Sequence, residues 1–190
     1  LMDKEGYEVT TYRVDGDYED GRHPKQVMFT SSLEEDLKRR DFTINAMAYH
    51  PERGLVDLFH GMEDMEHKIV RCVGDPMERF HEDALRILRA VRFSAQLGFT
   101  IEEKTKAGIQ ALAPNLKCVS AERIQTELVK LLVSPHPDYL RVAYETGITR
   151  EFLPEFDACM ETEQNTPHHC YTVGEHILHS LLLVRPDKVL

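Results

Sequence analysis

The sequence predicts an α+β protein that is mostly helical, and two patterns carry this prediction. Short runs of β-branched and apolar residues, typical of strands, lie before residue 74. After Gly74-Asp75-Pro76, apolar residues recur every three or four positions, as in amphipathic helices. With 190 residues, 42% of them hydrophobic, the chain can form one or two globular domains.

The part before residue 74 is predicted to contain strands and two short helices. Ser31 or Ser32 can cap a helix over Leu33–Leu37. The stretch Phe42–Ala48 favours a helix over a strand because of its length and its alanine and methionine content. Three segments fit strands: residues 7–14, 55–59 and 69–73.

The part after residue 74 is predicted to contain five helices. Ser120 is placed to cap the third, Asp138 the fourth, and a Thr172-x-x-Glu175 capping box the fifth. The predicted helices cover residues 77–97, 101–113, 120–132, 139–145 and 173–184.

Charge and composition argue against several classes of protein. The formal net charge of −10 does not suit a general nucleic-acid coat, which needs a broad basic surface, but it leaves room for a local basic cleft. Arginines are concentrated between residues 39 and 92. No apolar run is long enough to span a membrane, and four well-separated cysteines indicate reduced thiols in the cytoplasm.

The stretch 82–93 carries the most informative pattern. Asp83, Arg86, Arg89 and Arg92 are spaced three apart, so on one helix they form a ridge. The opposite side is apolar, with Ala84, Leu88, Val91 and Ala95. The spacing predicts a helix that offers one acceptor and three sets of donors to solvent. A surface helix with ordinary ion pairs explains the spacing about equally well.

A carboxylate beside a guanidinium can read the edge of a nucleobase. Cytosine and adenine present an amino donor beside a ring-nitrogen acceptor, which match the acceptor of Asp83 and the donors of Arg86. Uracil and guanine present the reverse order, and each buried group left unpaired costs about 1–3 kcal/mol. The pair can therefore accept C and A, while Arg89 and Arg92 can meet the triphosphate.

A second stretch, 39–49 (RRDFTINAMAY), places two arginines and an aspartate ahead of Asn45, which suggests phosphate contacts and internal bracing. With EDALR at 82–86, it resembles the ribose- and base-recognition motifs of the tRNA nucleotidyltransferase (CCA-adding enzyme) and bacterial poly(A) polymerase family, class II of the polymerase β-like superfamily. Residues 7–13, 57–64 and 120–128 are similar to its head strand, hinge motif and neck-bracing motif.

The resemblance implies a domain order and a role for each motif residue. Residues 1–71 would be the C-terminal part of a polymerase β-like head, 72–134 a helical neck that selects the nucleotide and binds RNA, and 135–190 the start of a helical body. The implied nucleotide-binding residues are Arg40, Asp83, Arg86, Arg89 and Arg92. The implied structural or hinge residues are Asp41, Asn45, Asp57, Gly61, Glu122 and Arg123, and the implied catalytic carboxylate is Glu8.

In the family, a glycine-rich loop and an Asp-x-Asp metal pair precede the strand that begins here at Tyr7, and the six residues before Tyr7 contain neither. Two-metal phosphoryl transfer needs carboxylates that hold both ions, and Glu8 alone cannot hold them. We therefore expect a fragment of a longer enzyme that, as written, neither binds Mg²⁺ productively nor transfers nucleotides.

Histidines towards the C-terminus resemble the entrance to an HD-type phosphohydrolase domain. His168, His169 and His176 are of a type and spacing that can bind a metal, but the defining His-Asp dyad does not occur in the sequence. A solvated, capped helix is the favoured interpretation. Metal ligation by these histidines is expected only if an HD domain follows.

The activity that the resemblance implies is the addition of CMP and AMP to the 3′ end of tRNA from CTP and ATP, with Mg²⁺, by a cytoplasmic enzyme. Because the Asp83/Arg86 pair suits both C and A, a poly(A) polymerase or an enzyme that adds only CC or only A stays open. Two other classes also stay open: a non-catalytic RNA-binding module, and an HD phosphohydrolase with a vestigial polymerase half. The sequence does not indicate the oligomeric state.

Overall fold

The computed structural model describes residues 9–16, 27–165 and 170–187. Its strands form two antiparallel pairs and one parallel pair. The first strand begins at Arg13, so the described residues 9–12 lie outside the strand predicted there. The antiparallel pairs are β1 (Arg13–Asp15) with β2 (Val27–Phe29), and β3 (Met47–His50) with β4 (Gly54–Asp57). The parallel pair is β5 (Ile69–Val70) with β6 (Thr100–Ile101).

Helices dominate the described chain, and the prediction of a mostly helical α+β fold is confirmed. They are α1 (Leu33–Lys38), α2 (Gly61–Glu66), α3 (Pro76–Glu82), α4 (Leu85–Leu97), α5 (Glu103–Leu112), α6 (Ala121–Leu132), α7 (Leu140–Glu145), α8 (Thr149–Phe152), α9 (Pro154–Glu161) and α10 (Val173–Leu181). Within the described ranges, none of these helices combines the length and the apolar character needed to cross a membrane.

Helix α4 lies at the centre of the core. The apolar side predicted for it is confirmed, because Ala84, Leu88, Val91 and Ala95 are all buried. It packs against α3, α6, α7 and the β5–β6 pair, which together enclose it. It ends at Gly98, whose φ of +67° is a left-handed conformation that favours glycine. The core therefore fixes α4 in place and leaves its polar side to define the site.

Two of the predicted helix caps are confirmed. The Ser32 hydroxyl accepts a hydrogen bond from the Glu35 amide (3.3 Å), and the Thr172 hydroxyl accepts one from the Glu175 amide (3.1 Å). Ser120 occupies the predicted N-cap position of α6 but makes no side-chain hydrogen bond there. The cap predicted at Asp138 is wrong, because Asp138 lies inside a 3-10 turn before α7.

The helix predicted over Phe42–Ala48 is wrong. Thr43–Asn45 form a 3-10 turn, and β3 begins at Met47. The Thr43 amide donates to the Arg71 carbonyl (2.9 Å), and the Asp41 carbonyl accepts from the Val73 amide (3.0 Å). Residues 71–73 thus bond to the backbone on both sides of Phe42, and they occupy the Asp41 carbonyl that would have accepted the first bond of a helix.

The helix predicted over residues 77–97 is interrupted between α3 and α4. Asp83 ends α3 in an extended conformation (φ −144°, ψ 104°), and its side chain accepts a hydrogen bond from the Leu85 amide (3.1 Å). Aspartate forms such local bonds in competition with helix, which explains the break. Asp83 therefore lies at a corner between two helices instead of on one continuous ridge.

Candidate functional site

A cleft of about 470 Å³ opens where the end of α1, the turn after it, the α3–α4 corner and the start of α6 meet. Five arginines and two aspartates dominate its lining. The lining residues are Arg39, Arg40, Asp41, Asn45, Asp83, Leu85, Arg86, Arg89, Phe93 and Arg123. This excess of guanidinium groups suits a ligand that carries several negative charges, such as a nucleotide.

Asp36 holds two arginines at the edge of the cleft. Its buried carboxylate accepts from the Arg39 guanidinium (2.7 Å) and from the Arg40 guanidinium (3.2 Å). Burial alone would raise the pKa of Asp36, but bonds from Arg39, the Arg13 amide and Arg40 bring it below its usual value. The Arg40 side chain is still 41% exposed, so it is positioned without being enclosed.

Asp41 links the turn after α1 to helix α4. One of its oxygens accepts two bonds from Arg89, at 2.8 Å from Nε and 2.6 Å from Nη2. The other accepts from the Phe42 amide (2.9 Å) and from the Asn45 side chain (3.2 Å). The predicted bracing residues and the predicted ligand Arg89 therefore form one hydrogen-bonded unit in the wall of the cleft.

Asp83 is held in the cleft by Arg123. The Arg123 Nη2 donates to Asp83 Oδ2 at 2.8 Å, while Oδ1 receives the Leu85 amide. Each carboxylate oxygen can accept more than one hydrogen bond, so Asp83 can still accept from a ligand. The pair ties the α3–α4 corner to α6.

Arg86 lines the cleft but is only 11% exposed. Its guanidinium donates to the Glu82 carboxylate, to the Arg79 carbonyl (3.1 Å) and to the Arg39 carbonyl (3.1 Å). Arg79 also pairs with Glu82 and donates to the Lys38 carbonyl (3.3 Å). Sequence reasoning missed Arg79 and Glu82, although the four-residue spacing of Glu82 and Arg86 was a signal for this pair.

Arg92 does not lie at the cleft, contrary to the predicted ridge. It is 6% exposed and donates to Glu127 of α6 (2.8 Å) and to Gln96 (2.8 Å). Burial lowers the pKa of Arg92, and Glu127 partly offsets that effect. Burial would raise the pKa of Glu127, but bonds from Lys130 and Arg92 bring it below its usual value. Arg92 is therefore a buried partner of α6 and does not face solvent.

The predicted hinge residues form a tight turn ahead of α2. The Asp57 carboxylate accepts from the amides of Gly61 (2.8 Å) and Met62 (2.9 Å). Burial would raise the pKa of Asp57, but these amide bonds bring it below its usual value. A Cβ on Gly61 would stand 2.4 Å from the Thr43 carbonyl oxygen, so this position requires glycine.

A polar network, which sequence reasoning missed apart from the motif residue Asp64, joins this turn to the helical part. Buried Asp64 accepts from the Thr43 hydroxyl (2.7 Å) and from Arg71 Nε (3.0 Å). Arg71 also pairs with Glu102, which accepts from the Thr105 hydroxyl (2.7 Å). The network fixes the orientation of the turn relative to α5.

The remaining predicted residues contribute less to the described site. Glu8, His168 and His169 lie outside the described residues. Glu122 is exposed, and its carbonyl accepts from a threonine hydroxyl one turn later (2.8 Å). His176 is exposed on α10, and the described chain has no cluster of three or more His, Cys, Asp or Glu that could hold a metal.

Comparison with known families gives two matches that follow the two parts of the fold. The family described as "Poly A polymerase head domain" matches residues 1–71. The family described as "Probable RNA and SrmB- binding site of polymerase A" matches residues 98–160. The corner that carries Asp83 and Arg86 lies between these two segments.

The chain is also similar to individual CCA-adding enzymes. The CCA-adding enzyme of Pediococcus pentosaceus is 49% identical over 169 residues, which are 88% of this chain and 43% of that protein. The Bacillus stearothermophilus CCA-adding enzyme in complex with CTP aligns with a TM-score of 0.70 and 43% identity, over 77% of this chain and 35% of that one. The Thermotoga maritima CCA-adding enzyme complexed with tRNA_CCA aligns with a TM-score of 0.61 and 28% identity, over 83% and 42%. The chain spans less than half the length of these three relatives.

Proposed function

The chain belongs to the family of CCA-adding enzymes and poly(A) polymerases, and we propose that it forms the nucleotide-selecting part of a CCA-adding enzyme. The complete, cytoplasmic enzyme would add CMP and AMP to the 3′ end of tRNA. The tRNA 3′ hydroxyl would attack the α-phosphorus of CTP or ATP, and pyrophosphate would leave. We assign residues 1–71 to the head, 72–134 to the neck and 135–190 to the body.

The observation that carries this proposal is the position of Asp83 and Arg86 in one arginine-rich cleft. Asp83 offers a carboxylate to the amino group of cytosine or adenine, and Arg86 offers a donor to the adjacent ring nitrogen. Arg123 donates to the Asp83 carboxylate, and the Glu82 carboxylate accepts from Arg86, so both side chains are held in place. Fixed donors and acceptors of this kind reject uracil and guanine, because a wrong base leaves them unpaired.

The other arginines of the cleft suit the phosphates. Arg40 is half-exposed at the edge, and Arg89 is held by Asp41 with its side chain still 32% exposed. Guanidinium groups bind phosphate oxygens through paired, charge-assisted bonds. We propose that Arg40 and Arg89 bind the phosphates of the nucleotide. Arg92 is left out of this set because it is buried against α6.

Magnesium and tRNA complete the proposal. Both aspartates of the cleft are engaged by arginines, so the described lining of the cleft does not suit a magnesium ion. We infer Mg²⁺ as the cofactor of the complete enzyme from its family, with Glu8 as one carboxylate of that site. The tRNA would be bound through shape and backbone contacts along neck and body.

The test is the incorporation of nucleotides by the complete enzyme, supplied with tRNA that lacks its CCA end. With CTP and ATP together, we expect three added nucleotides and then a stop; CTP alone should add two, and UTP or GTP none. Repeated AMP addition without CTP would instead identify a poly(A) polymerase, which the family matched over residues 1–71 makes the second candidate. Binding of tRNA without any incorporation would refute the enzymatic proposal.

A further inference from the structure

We propose that Phe93 is an additional substrate-contacting residue of the cleft, which packs against the ribose of the incoming nucleotide. This inference rests on the proposed function. Phe93 is the aromatic side chain among the ten residues that line the cleft. Seven of these ten residues are charged, so the cleft offers little apolar surface, and the one ring there is a candidate for direct contact with a ligand.

The ring is built into a rigid support. It makes an edge-to-face contact with the fully buried Phe42, with ring centroids 5.7 Å apart. The Arg92 guanidinium lies 3.5 Å from the ring centroid, and Glu127 holds that guanidinium (2.8 Å). This cation–π contact gives Arg92, which does not reach the cleft, a role as a positioning residue for the ring.

The position of Phe93 along α4 indicates the sugar rather than the base. Phe93 follows Arg86 by seven residues on the same helix, which places it on the same face and about 10 Å further along the axis. The Arg89 guanidinium, which is bonded to Asp41 and which we propose to bind the phosphates, is 5.3 Å from the ring centroid. A nucleotide whose base edge meets Arg86 and whose phosphates meet Arg89 therefore brings the ribose that joins them, and not its base, towards Phe93.

The first arm of the test is steady-state kinetics of the full-length protein with Phe93→Leu and Phe93→Tyr. For Phe93→Leu, we expect KM to rise about tenfold for both CTP and ATP, which corresponds to about 1.4 kcal/mol. For Phe93→Leu, the kcat and the rejection of UTP should stay unchanged. Phe93→Tyr, which keeps the ring, should raise KM less than Phe93→Leu does. The matched control is Phe99→Leu, since Phe99 is another half-buried phenylalanine of the core that does not line this cleft.

The second arm does not depend on tRNA extension. The 190-residue sequence contains no tryptophan, so Phe93→Trp places a fluorophore at the proposed contact without a second tryptophan in this chain. The tryptophan emission of this variant should change on titration with CTP and with ATP. This readout also covers the case in which Phe93→Leu fails to fold.

Three results would overturn the inference. They are an unchanged KM for Phe93→Leu, an effect confined to CTP or to ATP, and a tryptophan emission of the Phe93→Trp variant that stays constant while calorimetry shows CTP binding. If the Phe93→Trp emission responds to CTP but the wild-type protein adds nothing to tRNA, the proposed function fails and the contact stands.

Discussion

Replacing Glu127 by leucine should destabilise the fold strongly, because it leaves the Arg92 guanidinium buried without its carboxylate. The two side chains are 5% and 7% exposed, and their atoms Oε2 and Nε are 2.8 Å apart. Removing one member of such a pair costs about 3–5 kcal/mol. For a chain of this size, that corresponds to a fall in Tm of about 6–20 °C. The assay is urea and thermal unfolding followed by circular dichroism.

Two further variants make this prediction refutable. Lys130 donates to the same carboxylate at 3.0 Å but is 46% exposed, so Lys130→Met should cost only about 0–1 kcal/mol. The double variant Arg92→Met/Glu127→Leu removes both charges and should recover most of the stability lost in the single variant. If Glu127→Leu costs no more than Lys130→Met, or the double variant is no more stable than Glu127→Leu, the buried pair does not fasten α4 to α6.

Three other predictions concern Gly61, Cys72 and a pair of buried carboxylates. Gly61→Ala should cost about 1–3 kcal/mol of unfolding free energy, because its Cβ would meet a backbone oxygen at 2.4 Å; an unchanged urea midpoint would contradict this. Burial raises the pKa of the Cys72 thiol to about 12, so at pH 8 iodoacetamide should label exposed Cys118 and spare Cys72 until the chain unfolds, as read by mass spectrometry; equal labelling of the native protein is the opposing result. Asp36 and Glu127 have folded-state pKa values below 3.8 and 4.5, so the stability they contribute is present at neutral pH and is lost as pH falls through those folded values; a urea midpoint that rises on acidification would refute this.

The sequence predicted those elements that local patterns determine. The apolar side of α4 follows from its periodicity, and the caps at Ser32 and Thr172 follow from the hydroxyl residues that begin α1 and α10. The helix predicted over residues 42–48 was wrong because the hydrogen-bond partners of that segment lie near residue 72, almost thirty positions away. No window of seven residues contains that information.

The candidate site was predicted in its residue types and less well in its geometry. The spacing predicted Asp83 and the arginines on one continuous helix. In the structure, Asp83 accepts a hydrogen bond from the Leu85 amide and lies at the corner between two helices. Arg92 was misjudged because its partner, Glu127, stands 35 residues later on another helix. Phe93 gave no signal in the sequence beyond that of a core aromatic, since its place in the cleft depends on how α4 packs.

Selection of the base by Asp83 is the central claim, and nucleotide discrimination by Asp83→Asn in the full-length protein tests it most directly. Asparagine keeps the shape at the α3–α4 corner but replaces one acceptor by a donor, so uracil would no longer face acceptor against acceptor. We expect the ratio of kcat/KM for CTP over UTP to fall about tenfold or more, as one unpaired group is worth about 1–3 kcal/mol. A ratio equal to that of the wild type, with CTP still incorporated, would contradict the account.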